Sequence, residues 1–204
     1  MTSRRILEAA GPLFAASGFA ETTSKAIAEQ AGVDLASINY HFGGRGGLYQ
    51  AALAEAHRQL VKLSDLESID AAGLPGAEKL ARLIDLLLGV AFAGSGWPVR
   101  LLAREVLAPS SHMATLMSEE IQPKLVVVQR ILAEVSGIPA GDPALLRCMI
   151  SVAAPCLMLV VAGTGIPGPA QAIRQMPREV LAQHLYTFAI AGLSATGAQW
   201  RAAV

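Results

Sequence analysis

The sequence predicts an all-α protein, and three observations support this fold class. Alanine and leucine dominate the chain, apolar residues recur mainly at helical spacing, and strand-like alternation is scarce. Glycine and proline fall in clusters that divide the chain into segments of about 10 to 25 residues. Segments of that length and period predict a series of helices joined by loops.

Length and composition bound the function. The 204 residues suffice for one large domain or two small ones with a substantial core. Hydrophobic residues make up 53% and charged residues 16%, so we expect apolar surface to stay exposed in a monomer and the chain to form an oligomer. The 16 basic and 16 acidic residues balance, so any binding to DNA must come from local placement of side chains rather than from net charge.

Cysteine usage and the N-terminal segment favour a cytoplasmic protein. Cys148 and Cys156 are the only cysteines, and we expect buried free thiols in a reducing compartment. Glu8 interrupts the apolar residues near the N-terminus, which is not the pattern of a secretory signal. The uncharged stretch 148–166 is long enough to span a bilayer, but it contains Pro155 and lacks aromatic anchors. We therefore expect a helix buried in a core or dimer interface, and no membrane.

The first predicted helix runs from Ser3 to Ser17, and Gly18 ends it. Pro12 lies inside this helix and removes the hydrogen bond to the carbonyl of Glu8, so we expect a bend there.

The next two predicted helices are short and have clear capping signals. Ser24–Ala31 follows Thr23, a favourable N-cap, and ends at Gly32; Asp34 then caps Leu35–Phe42. Gly32 permits the left-handed backbone of a tight turn. This spacing is typical of a helix-turn-helix.

The rest of the chain is predicted as longer helices. A fourth helix runs from Arg45 to about Leu63, and the polar stretch 64–76 is predicted to be a linker. Further helices are expected at about 77–94, 98–107, 111–136 (bent at Pro123), 143–163 and 177–200.

The first 50 residues resemble the DNA-binding domain of the TetR family of bacterial transcriptional regulators. The resemblance lies in "ILEAAGPLFAASGFAETTSKAIAEQAGVDLASINYHFGGRGGLY", which contains the expected helices in order. Residues 101–137, "LLAREVLAPSSHMATLMSEEIQPKLVVVQRILAEVSG", are similar to the C-terminal domain of the CecR-like subgroup.

This resemblance implies a three-helix DNA-binding domain at 1–50, of helix-turn-helix type, and a helical domain at 51–204 that binds an effector and dimerises. It further implies a homodimer that binds a palindromic operator, represses transcription and is released by a small molecule, without a cofactor or catalysis.

Candidate DNA-binding residues follow from the position of the second helix of the motif, whose exposed residues face base edges in the major groove. Asn39 can pair with adenine or donate to a phosphate, while Leu35 and Ala36 can contact a thymine methyl group. Alternatives remain for Tyr40, which can pack its ring on a neighbouring helix, and for His41, which can bond a backbone carbonyl. The candidates are Thr23, Leu35, Ser37, Asn39, Tyr40, His41 and Arg45.

Four positions between residues 34 and 45 depart from the pattern of the family. Asn39 stands where most members have tyrosine, Arg45 where they have lysine, Asp34 where a serine caps the recognition helix, and Ala36 where that helix has a glycine. Arg45 is predicted to bind phosphate or to remain a solvated charge. Asn39 is the position at which specificity is first expected to differ from relatives.

Two features of this segment lead to further hypotheses. Residues 1–50 are formally neutral, so DNA binding should depend only weakly on salt. Gly46 and Gly47 begin the fourth helix and are predicted to soften its first turn, so that it can transmit effector binding.

The effector site is less clearly indicated. The resemblance places five candidates near a cavity, although core packing and an ion pair with Glu105 are the alternative roles. An apolar pocket with one cation would suit an apolar or weakly acidic small molecule. The candidates are Trp97, Arg100, Arg104, Met113 and Met117.

An enzyme and a purely structural oligomer are the competing classes. Gly163, Gly165 and Gly168 have the spacing of a dinucleotide-binding loop, but Pro167 and Pro169 interrupt the expected helix start. The stretch 159–168 is therefore predicted to be a helix end and loop. The histidines and cysteines show no metal-ligand spacing, so no metal is expected. A structural oligomer would explain the apolar composition but not the aromatic and polar cluster after a helix-turn-helix.

Overall fold

The computed structural model describes residues 2–92, 94, 96–162 and 168–203, and regular structure there is entirely helical, as predicted. A π-helical turn, Met117–Ile121, separates α8 from α9. The α-helices are α1 Thr2–Glu21, α2 Ser24–Ala31, α3 Leu35–Phe42, α4 Arg45–Leu60, α5 Leu63–Ala71, α6 Gly76–Phe92, α7 Trp97–Leu107, α8 Met113–Leu116, α9 Gln122–Ser136, α10 Pro143–Ala162, α11 Pro169–Ile173 and α12 Arg178–Ala203.

The chain divides into two compact units that do not follow a single cut in the sequence. The first unit comprises Met1–Leu60 and Ser95–Ile121, and the second comprises Val61–Gly94 and Gln122–Val204. The first unit therefore contains α7, α8 and the π-helical turn in addition to α1–α4. The domain boundary at residue 50 stays a prediction, and the compact unit that holds the helix-turn-helix is larger than residues 1–50.

In the first unit, α1 packs against α2, α4 and α7, and α4 packs against α3 and α7. Each of these helices contributes side chains to one apolar core. Its fully buried members include Ile6, Phe14, Ile27, Ile38, Leu48, Tyr49, Leu53 and Leu101.

In the second unit, α6 packs against α9, α10 and α12. Lys79 and Glu134 form an ion pair of 2.7 Å between α6 and α9. Gly197 of α12 approaches the end of α9 so closely that a Cβ there would lie 1.9 Å from the carbonyl oxygen of Ser136. Leu80, Leu83 and Leu88 of α6 join Ile131, Leu132 and Leu145 in the fully buried core.

The predicted linker at 64–76 is wrong over most of its length, because α5 occupies Leu63–Ala71. Leu66 is 1% exposed, and α5 packs against α9 and α6. The carboxylate of Asp70 accepts a hydrogen bond from Arg130 Nε at 2.7 Å. Tertiary contacts therefore stabilise a polar segment whose composition resembles that of a loop.

Other predicted boundaries are confirmed or refined. Gly18 interrupts α1 with φ 78° and ψ 176°, as expected of the residue that stops this helix. The helix predicted at 111–136 is instead divided into α8, the π-helical turn and α9, because the regular hydrogen-bond pattern is lost just before Pro123. Of the dinucleotide-type motif, residues 163–167 lie outside the described residues.

Helix α10 is long and apolar enough to cross a membrane over Pro143–Val161, but it packs against α6, α9 and α12. Cys148 and Cys156 are both free and buried on this helix, as predicted. Burial raises the pKa of the Cys156 thiol to about 11, so this thiol stays protonated near neutral pH.

Candidate nucleic-acid interface

The helix-turn-helix is held in place by side-chain caps at the start of both helices. Thr23 Oγ1 accepts a hydrogen bond from the backbone N–H of Ala26 at 3.1 Å. Asp34 Oδ1 accepts from the N–H of Ser37 at 2.7 Å and from its hydroxyl at 2.8 Å. These hydrogen bonds hold the pKa of the Asp34 carboxyl below its usual value.

The turn between the helices has the predicted left-handed residue. Gly32 adopts φ 62° and ψ 44°, and its N–H donates to the carbonyl of Glu29 at 3.2 Å. Val33 N–H donates to the carbonyl of Ala28 at 3.0 Å. Local hydrogen bonds therefore form the predicted turn of the helix-turn-helix.

Helix α3 has one buried side and one exposed side. Ile38 is completely buried in the core of the unit. The opposite side, which we call the recognition face, consists of Leu35, Ala36, Asn39 and Tyr40, which are all exposed. Leu35 is 51% exposed and Tyr40 is 85% exposed, so two large side chains of α3 face solvent.

Two other candidates on α3 have internal contacts. The His41 ring is exposed and meets the edge of the Tyr40 ring at a centroid distance of 5.0 Å. Ser37 is half-buried, and its hydroxyl is engaged by Asp34. Gly43 ends the helix with φ 69°, and its N–H donates to the carbonyl of Asn39 at 2.9 Å.

Two arginine side chains near the helix-turn-helix donate hydrogen bonds to backbone carbonyls of the first unit. Arg45 Nη1 donates to the carbonyl of Thr22 at 3.0 Å, and its guanidinium lies 4.5 Å from the centroid of the Phe19 ring. Arg5 Nη2 donates to the carbonyl of Ala31 at 2.8 Å, at the end of α2. These contacts give both side chains a structural role within the unit, which the sequence did not reveal.

Arg104 also binds a backbone carbonyl of the first unit, since its Nη2 donates to the carbonyl of Ala16 at 3.0 Å.

The remaining cations near the helix-turn-helix are more exposed. Arg4 pairs with Glu8 at 3.5 Å and Lys25 pairs with Glu29 at 3.9 Å, with more than half of each side chain in solvent. Exposed pairs of this kind bind weakly, so Lys25 and Arg4 can exchange their partners for a phosphate.

Helix α7 is joined to α4 by a buried polar cluster. Glu105 is 2% exposed, and it accepts hydrogen bonds from the hydroxyl of Tyr49 at 2.5 Å and from both the N–H and hydroxyl of Ser110 at 3.1 Å. The Tyr49 ring packs edge-on against Phe14 at 4.8 Å and lies 5.3 Å from the His112 ring. Burial and the carboxylate both raise the pKa of Tyr49.

The two glycines predicted to soften α4 have different surroundings. A Cβ at Gly47 would lie 1.9 Å from the carbonyl oxygen of Phe42, whereas one at Gly46 would lie 3.5 Å from His112 Cε1. Gly47 therefore allows the backbones of α3 and α4 to approach closely, a role that involves no flexibility.

The five effector candidates lie in the first unit and have different surroundings. Trp97 packs on Gly11 and lines a groove of about 560 Å³ between α1 and α4. Arg104 is bound to Ala16, and Arg100 is exposed. Met113 is half-buried and Met117 is 40% exposed.

The second unit contains a groove that sequence reasoning missed. It has a volume of about 310 Å³ and lies between α10 and α12, with Ile84 of α6 at its base. Its lining is largely apolar and includes Val152 and Phe188, with Arg147 as the cation. The sequence signal that could have indicated this groove is the presence of an arginine inside the apolar segment 143–162.

Among the described residues, no group of three or more His, Cys, Asp or Glu side chains could hold a metal ion.

Comparison with known proteins agrees with this architecture. Residues 6–52 match the sequence profile of bacterial regulatory proteins of the tetR family, and residues 77–193 match the C-terminal domain of the HTH-type transcriptional dual regulator CecR. The second match covers more than half of the chain. The chain therefore belongs to the TetR family of transcriptional regulators, with a CecR-type C-terminal domain.

Individual relatives are more distant. A probable HTH-type transcriptional regulator, YttP of Bacillus subtilis (strain 168), is 28% identical over 133 residues, which are 65% of this chain and 64% of that protein. The match thus spans less than two thirds of the length of this relative.

Solved structures share the fold. A TetR-like regulator from Rhodococcus sp. RHA1 aligns with a TM-score of 0.67 and 19% identity, covering 95% of this chain and 96% of that one. FadR from Bacillus subtilis, solved in complex with stearoyl-CoA, aligns with a TM-score of 0.71 and 18% identity over 93% and 98% of the two chains.

Proposed function

We propose that this protein is a cytoplasmic repressor that binds a palindromic operator as a homodimer and is released by a small-molecule effector. The observation that carries the proposal is the recognition face of α3. Leu35, Asn39 and Tyr40 are exposed on a helix whose other side is fixed in the core by Ile38. Such an arrangement has the geometry of a helix that enters the major groove. Thr23, Ser37, His41 and Arg45 are the further proposed contacts, Arg45 through the part of its guanidinium that Thr22 does not use.

The exposed apolar side chains of the second unit support a homodimer. Apolar groups of this size are rarely left in solvent when they lie together on neighbouring helices. In a homodimer, α10 and α12 of each subunit would cover the exposed apolar side chains on the same two helices of the other subunit. They are Leu146, Ile150, Leu157, Met158 and Phe188.

The effector is proposed to be apolar or weakly acidic. The groove between α10 and α12 combines an apolar lining with Arg147, which suits a molecule with an apolar body and an anionic group. The structural relative FadR, which was solved with stearoyl-CoA, supports a ligand of this character. Trp97, Arg100, Arg104, Met113 and Met117 stay candidates for a contribution from the first unit.

The test is binding to a duplex that carries the region upstream of the gene, measured by fluorescence anisotropy. Asn39→Ala and Tyr40→Ala should each weaken binding, because both remove exposed groups without disturbing the core. Gln171→Ala is the control, since it removes an exposed amide of α11 in the second unit. Light scattering should give the mass of two chains. Equal binding by all variants, or a monomer that binds as tightly, would contradict the proposal.

A further inference from the structure

We infer that the recognition face of α3 selects A·T base pairs, so that the directly contacted positions of each operator half-site are A·T rather than G·C. This inference rests on the proposed function and names the class of DNA sequence that it requires. It is based on the chemistry of the four exposed side chains. It is also based on the hydrogen bonds that the nearby charged residues make within the first unit.

The recognition face offers groups that match adenine and thymine. Leu35 and Ala36 present only methyl and methylene groups, whose available partner in the major groove is the thymine C5-methyl. Asn39 presents an amide that can bond bidentately to N6 and N7 of adenine. With about 100° of rotation per residue, Leu35, Ala36, Asn39 and Tyr40 fall on one side of the helix.

Helix α3 has no arginine or lysine side chain that could bind guanine. The segment Leu35–Phe42, "LASINYHF", contains neither arginine nor lysine, which are the side chains that bond guanine bidentately. Arg45, the nearest arginine in the sequence, donates to the carbonyl of Thr22 and lies over the Phe19 ring. His41 is not one of the four side chains of the recognition face, and its ring lies against the edge of the Tyr40 ring at a centroid distance of 5.0 Å.

The recognition face likewise has no carboxylate for cytosine. Aspartate and glutamate are the side chains that accept from cytosine N4, and Asp34 is the carboxylate adjacent to the recognition face. Its Oδ1 already accepts two hydrogen bonds from Ser37, and these hold the start of α3 in place. These hydrogen bonds hold the Asp34 side chain at the N-terminus of α3, outside the four side chains of the recognition face.

The experiment starts with selection from a duplex library with a random central region, using the full-length protein. The selected duplex is then remade with single replacements in each half-site. Deoxyuridine in place of thymidine removes the C5-methyl, and 7-deazadeoxyadenosine in place of deoxyadenosine removes N7. Binding of each duplex is measured with the wild-type protein and with Leu35→Ala and Asn39→Ala.

The inference predicts a specific pattern of losses. At least one deoxyuridine should weaken wild-type binding severalfold, and the Leu35→Ala protein should lose this sensitivity. One 7-deazadeoxyadenosine should weaken wild-type binding by about tenfold, within the range for a bidentate contact, and Asn39→Ala should lose that sensitivity. Val126→Ala and Gln171→Ala are matched controls from exposed positions of the second unit and should behave as wild type.

The alternative outcomes separate the inference from the proposed function. If no sequence is enriched, the chain does not bind DNA specifically and the proposed function fails. If a sequence is enriched but both modified bases are tolerated at every position, the A·T inference is overturned while the proposed function stands. The same conclusion follows if the Leu35→Ala and Asn39→Ala proteins keep the wild-type sensitivities to the modified bases.

Discussion

The hydroxyl of Tyr49 donates a hydrogen bond of 2.5 Å to Oε1 of Glu105, joining α4 to α7 inside the core of the first unit. Tyr49 is 1% exposed and Glu105 is 2% exposed, so water cannot replace either group. Leaving a buried acceptor without one of its donors is unfavourable, and Tyr49→Phe should lower the free energy of unfolding by about 1–3 kcal/mol. Chemical denaturation followed by circular dichroism measures this change.

Tyr186→Phe provides the control, because Tyr186 of α12 is half-buried in the second unit. This substitution should change stability much less than Tyr49→Phe. Equal effects of the two substitutions would show that the Tyr49–Glu105 hydrogen bond contributes little.

The same pair predicts a loss of stability in alkali. The folded protein raises the pKa of Tyr49 above the value of about 10 that a tyrosine has in an unfolded chain. Above that pH the unfolded state releases the proton while the folded state keeps it, so stability falls as pH rises. Tyrosinate absorbance should show one residue that ionises only on unfolding, and Tyr49→Phe should remove this component. Ionisation of all three tyrosines while the fold is intact would contradict the prediction.

Gly46 and Gly47 should respond oppositely to alanine. A Cβ at Gly47 would lie 1.9 Å from the carbonyl oxygen of Phe42, so Gly47→Ala must displace α3 from α4 and should destabilise the protein by about 1–3 kcal/mol or more. At Gly46 the nearest atom, His112 Cε1, lies 3.5 Å away, and alanine should stabilise the helix by up to about 1 kcal/mol. Thermal denaturation and DNA affinity of the two single variants test this. Similar behaviour of both would show that α3 and α4 can separate at little cost.

A double variant with alanine at Gly46 and Gly47 would not test for a hinge, because Gly47→Ala would also disturb the contact between α3 and α4. The single variant Gly46→Ala keeps the α3–α4 contact and isolates flexibility of the first turn of α4. If that turn transmits effector binding, Gly46→Ala should weaken the effector response more than DNA affinity. An unchanged ratio of the two would eliminate the hinge.

DNA binding should depend weakly on salt. Residues 1–50 contain four basic and four acidic side chains, and Arg5 and Arg45 are engaged with carbonyls of the unit. A dimer should therefore give a log–log salt slope no steeper than about −8. Lys25→Ala should make the slope shallower by about 0.9 for each phosphate that Lys25 neutralises in the complex. Anisotropy titrations over a series of salt concentrations measure both.

Arg5→Ala separates structural from ionic roles. It removes the hydrogen bond to the carbonyl of Ala31 at the end of α2, so it should lower the melting temperature and leave the salt slope unchanged. A shallower slope in this variant would assign Arg5 to a phosphate instead.

Local signals explain why the helix-turn-helix was predicted closely. Thr23, Gly32 and Asp34 act on neighbouring backbone groups within three or four residues, so the sequence itself contains the partners. The same argument explains the miss at α5. Leu66 is buried on a helix that packs against α9, which begins only at Gln122, and the polar neighbours of Leu66 resemble a loop.

The roles of charged residues were harder to predict for the same reason. The charge of Arg45 in the sequence predicts either phosphate binding or a solvated side chain, and the sequence gives no sign of its contacts with the carbonyl of Thr22 and the ring of Phe19, which the fold brings together. Glu105 was considered as the partner of an arginine, but its hydrogen bonds come from Tyr49 and Ser110. The sequence indicates that Arg45 and Glu105 have specific roles, but their partners are known only from the packing of the helices.

The engagement of Arg5 and Arg45 within the unit has a consequence for how such a protein would find its operator in a cell. Affinity for arbitrary DNA comes almost wholly from ionic contacts with phosphates, and it determines how many molecules the chromosome sequesters. With few free cations, the proposed dimer would spend most of its search diffusing free in solution rather than sliding along the chromosome. Few copies would then suffice to occupy the operator, and released molecules would leave the DNA entirely.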